Sequence, residues 1–283
     1  MVIAHLPEIA FSQQKTYPPV IEGTKEHVYR EVDDVQLKLW AFNPEGWKAS
    51  DSRPAIVFFF GGGWSGGNPI QFERHSRLLA ERGMVALVAD YRVASRHGTK
   101  ANECVEDARA AIRFLRSQSK ILGIDPDRIA AGGGSAGGHI AACLGVIEAD
   151  PESKPNAMAL YNPACVIAPL DGMDYWPEDR YAEMEERMGV KPESLSPAQH
   201  VSKNAPPCII FHGKADDTVP YATAAIFAEK MNALGVPCLL HGYEGEGHGF
   251  FNDGRESQSG GEPAFPKTME QLDAFFIDLG WLD

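Results

Sequence analysis

Two uninterrupted apolar runs, Ala55–Phe60 and Val85–Ala89, constrain the fold of this 283-residue chain more than any other feature. A strand with one face in water alternates apolar and polar residues. A short run without polar interruption fits a strand covered on both faces, the setting of a parallel sheet between helices. Each run is followed by a loop and a helix-like stretch. Residues Asn102 to Leu122 place Val105, Ala108, Ile112 and Leu115 three and four apart, one face of a helix. Asp125-Pro126-Asp127-Arg128 predicts a turn into a strand at Ile129–Ala131, and a helix is expected from about His139 to Ile147. Further strands are expected at Ala157–Tyr161, Cys208–His212 and Val236–His241, and helices over Tyr221–Leu234 and around Met269, Leu272, Phe276 and Leu279. Ahead of these, His27–Val32 and Val35–Phe42 alternate around Asp33-Asp34, an antiparallel hairpin. Strand-helix repetition without a linker predicts one α/β domain over 1–283, with an irregular acidic insertion at about 171–204 as a candidate cap.

Charge and composition narrow the partners. The chain carries 39 Asp and Glu against 26 Lys and Arg, a net charge of −13, and its basic residues are scattered, so no nucleic acid partner is expected. No apolar run approaches the roughly 18 residues of a membrane span. Pro7 and Glu8 interrupt any signal-peptide core, so the chain reads as cytoplasmic as written, or secreted or periplasmic if a leader precedes it. The five cysteines form no CxxC pair and read as reduced core thiols, with no metal site expected.

The chemistry concentrates in three loops. Gly133-Gly134-Ser135-Ala136-Gly137 follows a predicted buried strand and opens a predicted helix, the context in which a serine on a sharp turn is exposed as a nucleophile. The plainer alternative is a helix-initiating glycine turn with an incidental serine. A hydroxyl needs a base, and the base an orienting acid. His248 lies between Gly247 and Gly249 after the last predicted strand, and Asp216 follows the strand ending at His212, with Asp217 as its competitor. His139 and His212 read as structural histidines. Gly61-Gly62-Gly63-Trp64 follows the first apolar run and, with the N–H of Ala136, can supply donors for a developing oxyanion. Trp64, Tyr175 and Trp176 are candidate substrate contacts, the latter two equally suited to a small core within the cap, and Asp90 and Arg92 either pair to brace the site's edge or, the reading favoured, simply cap a strand.

Together with Asp90-Tyr91-Arg92, Asp125 to Ile129, Gly138 and the His212-Gly213 to Val219-Pro220 block, these motifs resemble the α/β-hydrolase esterases from about Val28 onward. The nearest branch is the acetyl-esterase and hormone-sensitive-lipase-like group, including small acetylxylan and feruloyl-type carbohydrate esterases. The resemblance implies the α/β-hydrolase fold, with Ser135 as nucleophile, Asp216 and His248 completing a catalytic triad, and Gly62, Gly63 and Ala136 as oxyanion hole. It also implies no cofactor, and a short-acyl ester substrate, a small molecule or an acetylated or feruloylated plant-type oligosaccharide. The family's glycine run normally begins with histidine, and here that position is Phe60.

Four other readings remain: a generic carboxylesterase; a prolyl-oligopeptidase-like peptidase, for which the chain is short; a noncatalytic ligand-binding module on the same fold; and a dinucleotide site. For the last, Gly61 to Gly66 and Gly132 to Gly137 both satisfy G-x-G-x-x-G, two matches that show mainly how weak the pattern is, and Asn68-Pro69 predicts a helix that begins after the first glycine turn.

Overall fold

The computed structural model describes residues 17–171 and 178–283, the side chains of 178–180 excepted. Its strands are β1 (Lys25–Val32), β2 (Val35–Phe42), β3 (Arg53–Phe59), β4 (Val85–Ala89), β5 (Ile124–Gly134), β6 (Ala157–Tyr161), β7 (Cys208–Gly213) and β8 (Cys238–Tyr243). They form one eight-stranded sheet in the order β1-β2-β4-β3-β5-β6-β7-β8. The expected hairpin pairs β1 with β2 and β2 with β4 antiparallel, and every later pairing is parallel.

The apolar runs are uninterrupted because both faces of the sheet are covered. On one face Val57, Leu87, Leu160 and Ile210 pack with residues of α3 (Ala101–Ser117), α5 (Ala136–Val146) and α7 (Tyr221–Ala233). On the other, Ile56, Phe58, Val88 and Ile209 pack with α1 (Glu73–Glu81) and α8 (Ala264–Asp278). Neighbours such as Ile56 and Val57 thus serve opposite cores, as the two-residue period of a strand requires. All five cysteines are buried and free. Among the described residues, no helix is long and apolar enough to cross a membrane.

Register fixes where the loops emerge. Phe59 pairs with Gly133, Gly133 with Leu160, Leu160 with Ile210 and Ile210 with Leu240, one row across five strands. The segments that follow therefore leave the sheet at a common carboxyl edge, where open α/β sheets place their ligands.

The sequence reading needs two corrections, and one open question is closed. The Asp125–Arg128 stretch is a bulge within β5, marked by a register shift against β3 and by Asp127 N–H donating to Asp125 Oδ1 at 2.9 Å. The acidic segment is partly regular: it holds α6 (Glu178–Met188) and short 3₁₀ turns at Pro192–Leu195 and Pro197–Gln199. Of the two readings open for Asp90 and Arg92, a mutual pair or a strand cap, the pair does not form. Arg92 instead donates to Asp107 of α3 at 2.9 Å, and Arg30 of β1 joins the same carboxylate at 2.7 Å.

The Asp107 side chain is fully buried, and it ties the hairpin, α3 and the loop after β4 together. Removing one partner of a buried ion pair strands the other charge, so Asp107→Ala should lose about 3 kcal/mol or more of unfolding free energy in urea. A loss under about 1 kcal/mol would show that the two arginines find solvent instead.

Candidate active site

Ser135 stands between β5 and α5 with φ 54° and ψ −117°, a left-handed conformation that costs a non-glycine residue about 1–3 kcal/mol. The surroundings enforce it. Ser135 N–H donates to the Tyr161 carbonyl at 2.8 Å, and its own carbonyl accepts from His139 N–H at 2.9 Å. The strain turns the serine out of the strand into a small cavity, which it lines together with Ala136, Gly63 and Trp64.

β8 lies beyond β7 and β6 from the serine's strand, so the loop that follows it has to double back to approach Ser135. It does so by crossing closely over the end of β7. Ala215 N–H donates to the Glu246 carbonyl at 2.9 Å, and a Cβ at Gly213 would come within 2.2 Å of that same oxygen, so position 213 has no room for a side chain. Phe250 and Phe251 then bury themselves, Phe251 against Tyr161 and Phe72, and pin the far end of the loop. The Glu246 carboxylate accepts from the hydroxyls of Ser257 and Ser259, which anchors the Gly-Ser-rich stretch that follows.

This path brings His248 and Asp216 together, with Nδ1 to Oδ2 at 2.8 Å. Asp216 Oδ1 accepts the N–H groups of Thr218 and Val219, both at 2.9 Å, and His212 Nε2 lies 3.4 Å from Oδ2. Burial alone would raise this carboxyl, but the nearby His212 ring, whose Nε2–H donates to the Val219 carbonyl at 2.7 Å, and the bonds from His248 and the Val219 amide outweigh it and hold the group well below the usual carboxylate range. A depressed carboxylate contributes its stabilisation above the unfolded-state value and loses it only as pH falls through the lower folded value, so Asp216 is charged at neutral pH. Asp217, the competitor, is exposed. Among the described residues, no hydrogen bond joins Ser135 Oγ to His248; such contacts are often long in an empty site and tighten with substrate.

The glycine loop lies on the other side of the serine. Among the described residues, the N–H groups of Gly62, Gly63 and Ala136 donate to no backbone acceptor, while the N–H groups of Ser65 and Gly66 close a turn onto the Gly62 carbonyl. No helix opens within the Gly61–Gly66 turn: Asn68 caps a 3₁₀ turn at Pro69–Phe72, and α1 begins at Glu73, which counts against a dinucleotide site at that turn.

Phe60, where the resemblance leads one to expect histidine, is fully buried and stacked on Tyr91 with ring centres 4.1 Å apart; Tyr91 Oη donates to the Phe60 carbonyl at 2.7 Å. A second brace has no signature in the sequence. Gln71 Oε1 accepts Gly61 N–H at 2.6 Å, Gln71 Nε2 donates to Asn252 Oδ1 at 3.1 Å, and Asn252 Nδ2 donates to the Gly249 carbonyl at 2.8 Å. The glycine loop and the histidine loop are thereby linked.

Of the residues expected to touch substrate, Trp64 lines the cavity but is only 7% exposed. Its Nε1–H donates to His139 Nδ1 at 3.2 Å, and Arg187 lies 5.4 Å from its ring centre. Tyr175 and Trp176 fall outside the described residues. His139 is structural: with Nδ1 accepting from Trp64, Nε2 carries the proton and donates to the Leu195 carbonyl at 2.7 Å, and burial pushes its pKa down to about 4, so the ring is neutral. Met184 and Arg187 of α6 also line the cavity, and Arg187 donates to the Gly63 carbonyl at 3.1 Å, contacts that the charge-rich sequence of this helix did not announce.

A mostly parallel sheet with an antiparallel first hairpin, its functional loops gathered at the carboxyl edge, is the architecture of an α/β hydrolase. The chain belongs to the alpha/beta hydrolase fold family, whose profile it matches over residues 56–252, and within that family it groups with carboxylic ester hydrolases. It is 32% identical over 229 residues to Esterase LipC of Mycobacterium tuberculosis, covering 72% of this chain and 56% of LipC. Carboxylesterase NlhH of the same organism is 28% identical over 219 residues, 68% of this chain and 67% of NlhH. The chain thus spans roughly half to two thirds of these curated relatives. Among solved structures, the butyrate-bound esterase Est2 of Thermogutta terrifontis superposes with a TM-score of 0.88 at 45% identity, covering 95% of this chain and 99% of that one. The same esterase phosphonylated by sarin gives 0.88 at 44%, covering 94% and 99%.

Gly62 has φ 127°, and a Cβ there would lie 2.4 Å from the Gly66 carbonyl oxygen. Gly62→Val should therefore lower kcat on a short ester by at least about 100-fold, the scale of a lost oxyanion donor. Phe60→His, which leaves the backbone donors in place, should retain at least about a tenth of kcat in its folded fraction. Equal losses in the two variants would make the Phe60 ring itself part of the site.

Proposed function

We propose that this protein is a serine carboxylesterase for short-acyl esters, working through an acyl-enzyme on Ser135. The observation that carries this reading is the shared edge: Ser135 half-buried on a strained turn and facing the cavity, His248 bonded to a buried, ionised Asp216, and a glycine loop whose Gly62 and Gly63 N–H groups have no backbone acceptor among the described residues. In the proposed reaction Ser135 Oγ attacks the ester carbonyl while His248 takes its proton, and Asp216 holds the imidazole and stabilises its charged form. The oxyanion is received by the N–H groups of Gly62, Gly63 and Ala136, aided by the N-terminus of α5. Collapse expels the alcohol, which takes the proton from His248, and water repeats the sequence to release the acid.

Cavity size supports a short acyl group. The space beside Ser135 is about 180 Å³, walled by Ala164, Val166, Ile167, Val219 and Pro220. That is below the roughly 300–1,000 Å³ of drug-sized sites. The solved structures of the Thermogutta esterase include butyrate-bound and propionate-bound forms, ligands of the same scale.

Acetylated plant-type sugars are the narrower reading of the alcohol side. The cavity includes Glu183, Arg187 and Thr218, hydrogen-bonding groups suited to a hydroxylated alcohol. Trp64, buried and overlain by Arg187, offers little open ring for a sugar to stack on, so this reading rests on the polar groups.

Ser135→Ala and His248→Ala should each lose several orders of magnitude in kcat with melting temperature preserved, and Asp216→Asn should cost more than Asp217→Asn. As pH is lowered, protonation of Asp216 should cost no activity until well below the ordinary carboxylate range. Near-wild-type turnover in Ser135→Ala would remove the acyl-enzyme mechanism.

Across p-nitrophenyl acetate, butyrate, octanoate and palmitate, kcat/KM should peak at acetate or butyrate. Each methylene that fits adds only about 0.8 kcal/mol, and one that does not fit is excluded by the wall. A maximum at octanoate or beyond would overturn the short-acyl reading, and release of acetate from acetylated xylo-oligosaccharides would separate the sugar reading from a general esterase.

A further inference from the structure

We propose that Tyr17, ahead of β1, is a positioning residue for the glycine loop and thus a working part of the site. This rests on the reading of Gly62 and Gly63 as oxyanion donors. Loop 61–67 has little internal restraint beyond its own tight turn, and its outer side is held by a strap at 94–96, in the short helix α2 (Ala94–His97). Ala94 N–H donates to the Trp64 carbonyl at 3.1 Å, Ser95 N–H to the Ser65 carbonyl at 2.9 Å, and Arg96 Nη1 to the Gly67 carbonyl at 3.0 Å.

Tyr17 holds the strap. Arg96 Nη2 donates to Tyr17 Oη at 2.7 Å, and the guanidinium carbon lies 3.8 Å from the centre of the tyrosine ring. The hydroxyl in turn donates to the carboxylate of Asp90, a residue only 3% exposed, which Arg96 itself reaches only at 3.8 Å. The same carboxylate accepts Tyr91 N–H at 2.8 Å, and Tyr91 supports Phe60 at the root of the loop. Tyr17 Oη therefore closes a ring of contacts running from the loop's root, through Asp90 and Arg96, to its far end at Gly67. Removing that one oxygen takes an acceptor from Arg96 and a donor from Asp90 and leaves both side chains in place. A small misplacement of oxyanion donors is expensive in rate, because they act only when aimed at the charge that develops.

The test compares wild type, Tyr17→Phe and Arg96→Lys. In Tyr17→Phe, kcat on p-nitrophenyl butyrate should fall about 5- to 20-fold with KM within about twofold. Affinity for a trifluoromethyl ketone, which forms a tetrahedral adduct on the serine, should fall by the same factor, while competitive inhibition by butyrate stays unchanged. Arg96→Lys, which keeps the charge but not the planar fork, should fall between the two. Amide hydrogen exchange of a peptide spanning 61–67 reads the loop without substrate and should quicken in Tyr17→Phe at a melting temperature near wild type. Unchanged exchange and unchanged ketone affinity would overturn the proposal. So would a loss shared equally by ketone and butyrate binding, or one explained wholly by a smaller folded fraction. An active Ser135→Ala protein would instead overturn the esterase reading, and the exchange data would still report whether Tyr17 holds the loop.

Discussion

A parallel sheet covered on both faces leaves polar side chains nowhere to go except its ends, and the rest of this molecule follows from that constraint. The central strands β3, β4, β6 and β7 spend nearly all their positions on two cores, one under α3, α5 and α7 and one under α1 and α8. The in-register row from Phe59 to Leu240 then brings the outgoing loops to one level. Chemistry requires groups from different loops to meet, and the sheet brings them within reach before any side chain is chosen.

What the loops add is closeness, obtained through strain and omission. Ser135 is forced into a left-handed conformation, and Gly213 lacks the side chain that would block the returning histidine loop. Two buried histidines near the site serve it without taking part: His212 donates to the Val219 carbonyl and so holds the turn whose amides bind Asp216, and neutral His139 joins Trp64 of the glycine loop to the Leu195 carbonyl. The segment beyond residue 171 thus reaches the glycine loop through two routes, His139 and Arg187.

Much of this was legible in the sequence because it depends on local pattern. Strand period, glycine-flanked loops and their order along the chain located the sheet and the loops bearing Ser135, His248 and Gly62. The sequence ranked Asp216 ahead of Asp217 without resolving them, since the difference lies in which carboxylate the returning histidine meets. For Asp90 and Arg92 the sequence left a mutual pair and a strand cap open, because nothing along the chain reveals that the guanidinium reaches across to α3. Helix α6 was missed because Met184 and Met188, one turn apart and both buried, stand among charged residues. Tyr17 and Gln71 had no signal at all: each acts partly on backbone groups or side chains of a distant loop, and such contacts leave no residue pattern to read.

The Gln71–Asn252 bridge has a consequence for how such a site can be altered. It joins the amide of Gly61 to the carbonyl of Gly249 through two side chains 181 positions apart. Replacing either residue alone leaves an amide group facing a partner that no longer answers, so the two positions are expected to drift as a pair. A chimera that imports the histidine loop from another esterase would inherit the wrong half of this bridge unless residue 71 travelled with it, and the misfit would surface at the glycine loop, on the opposite side of the serine from the graft.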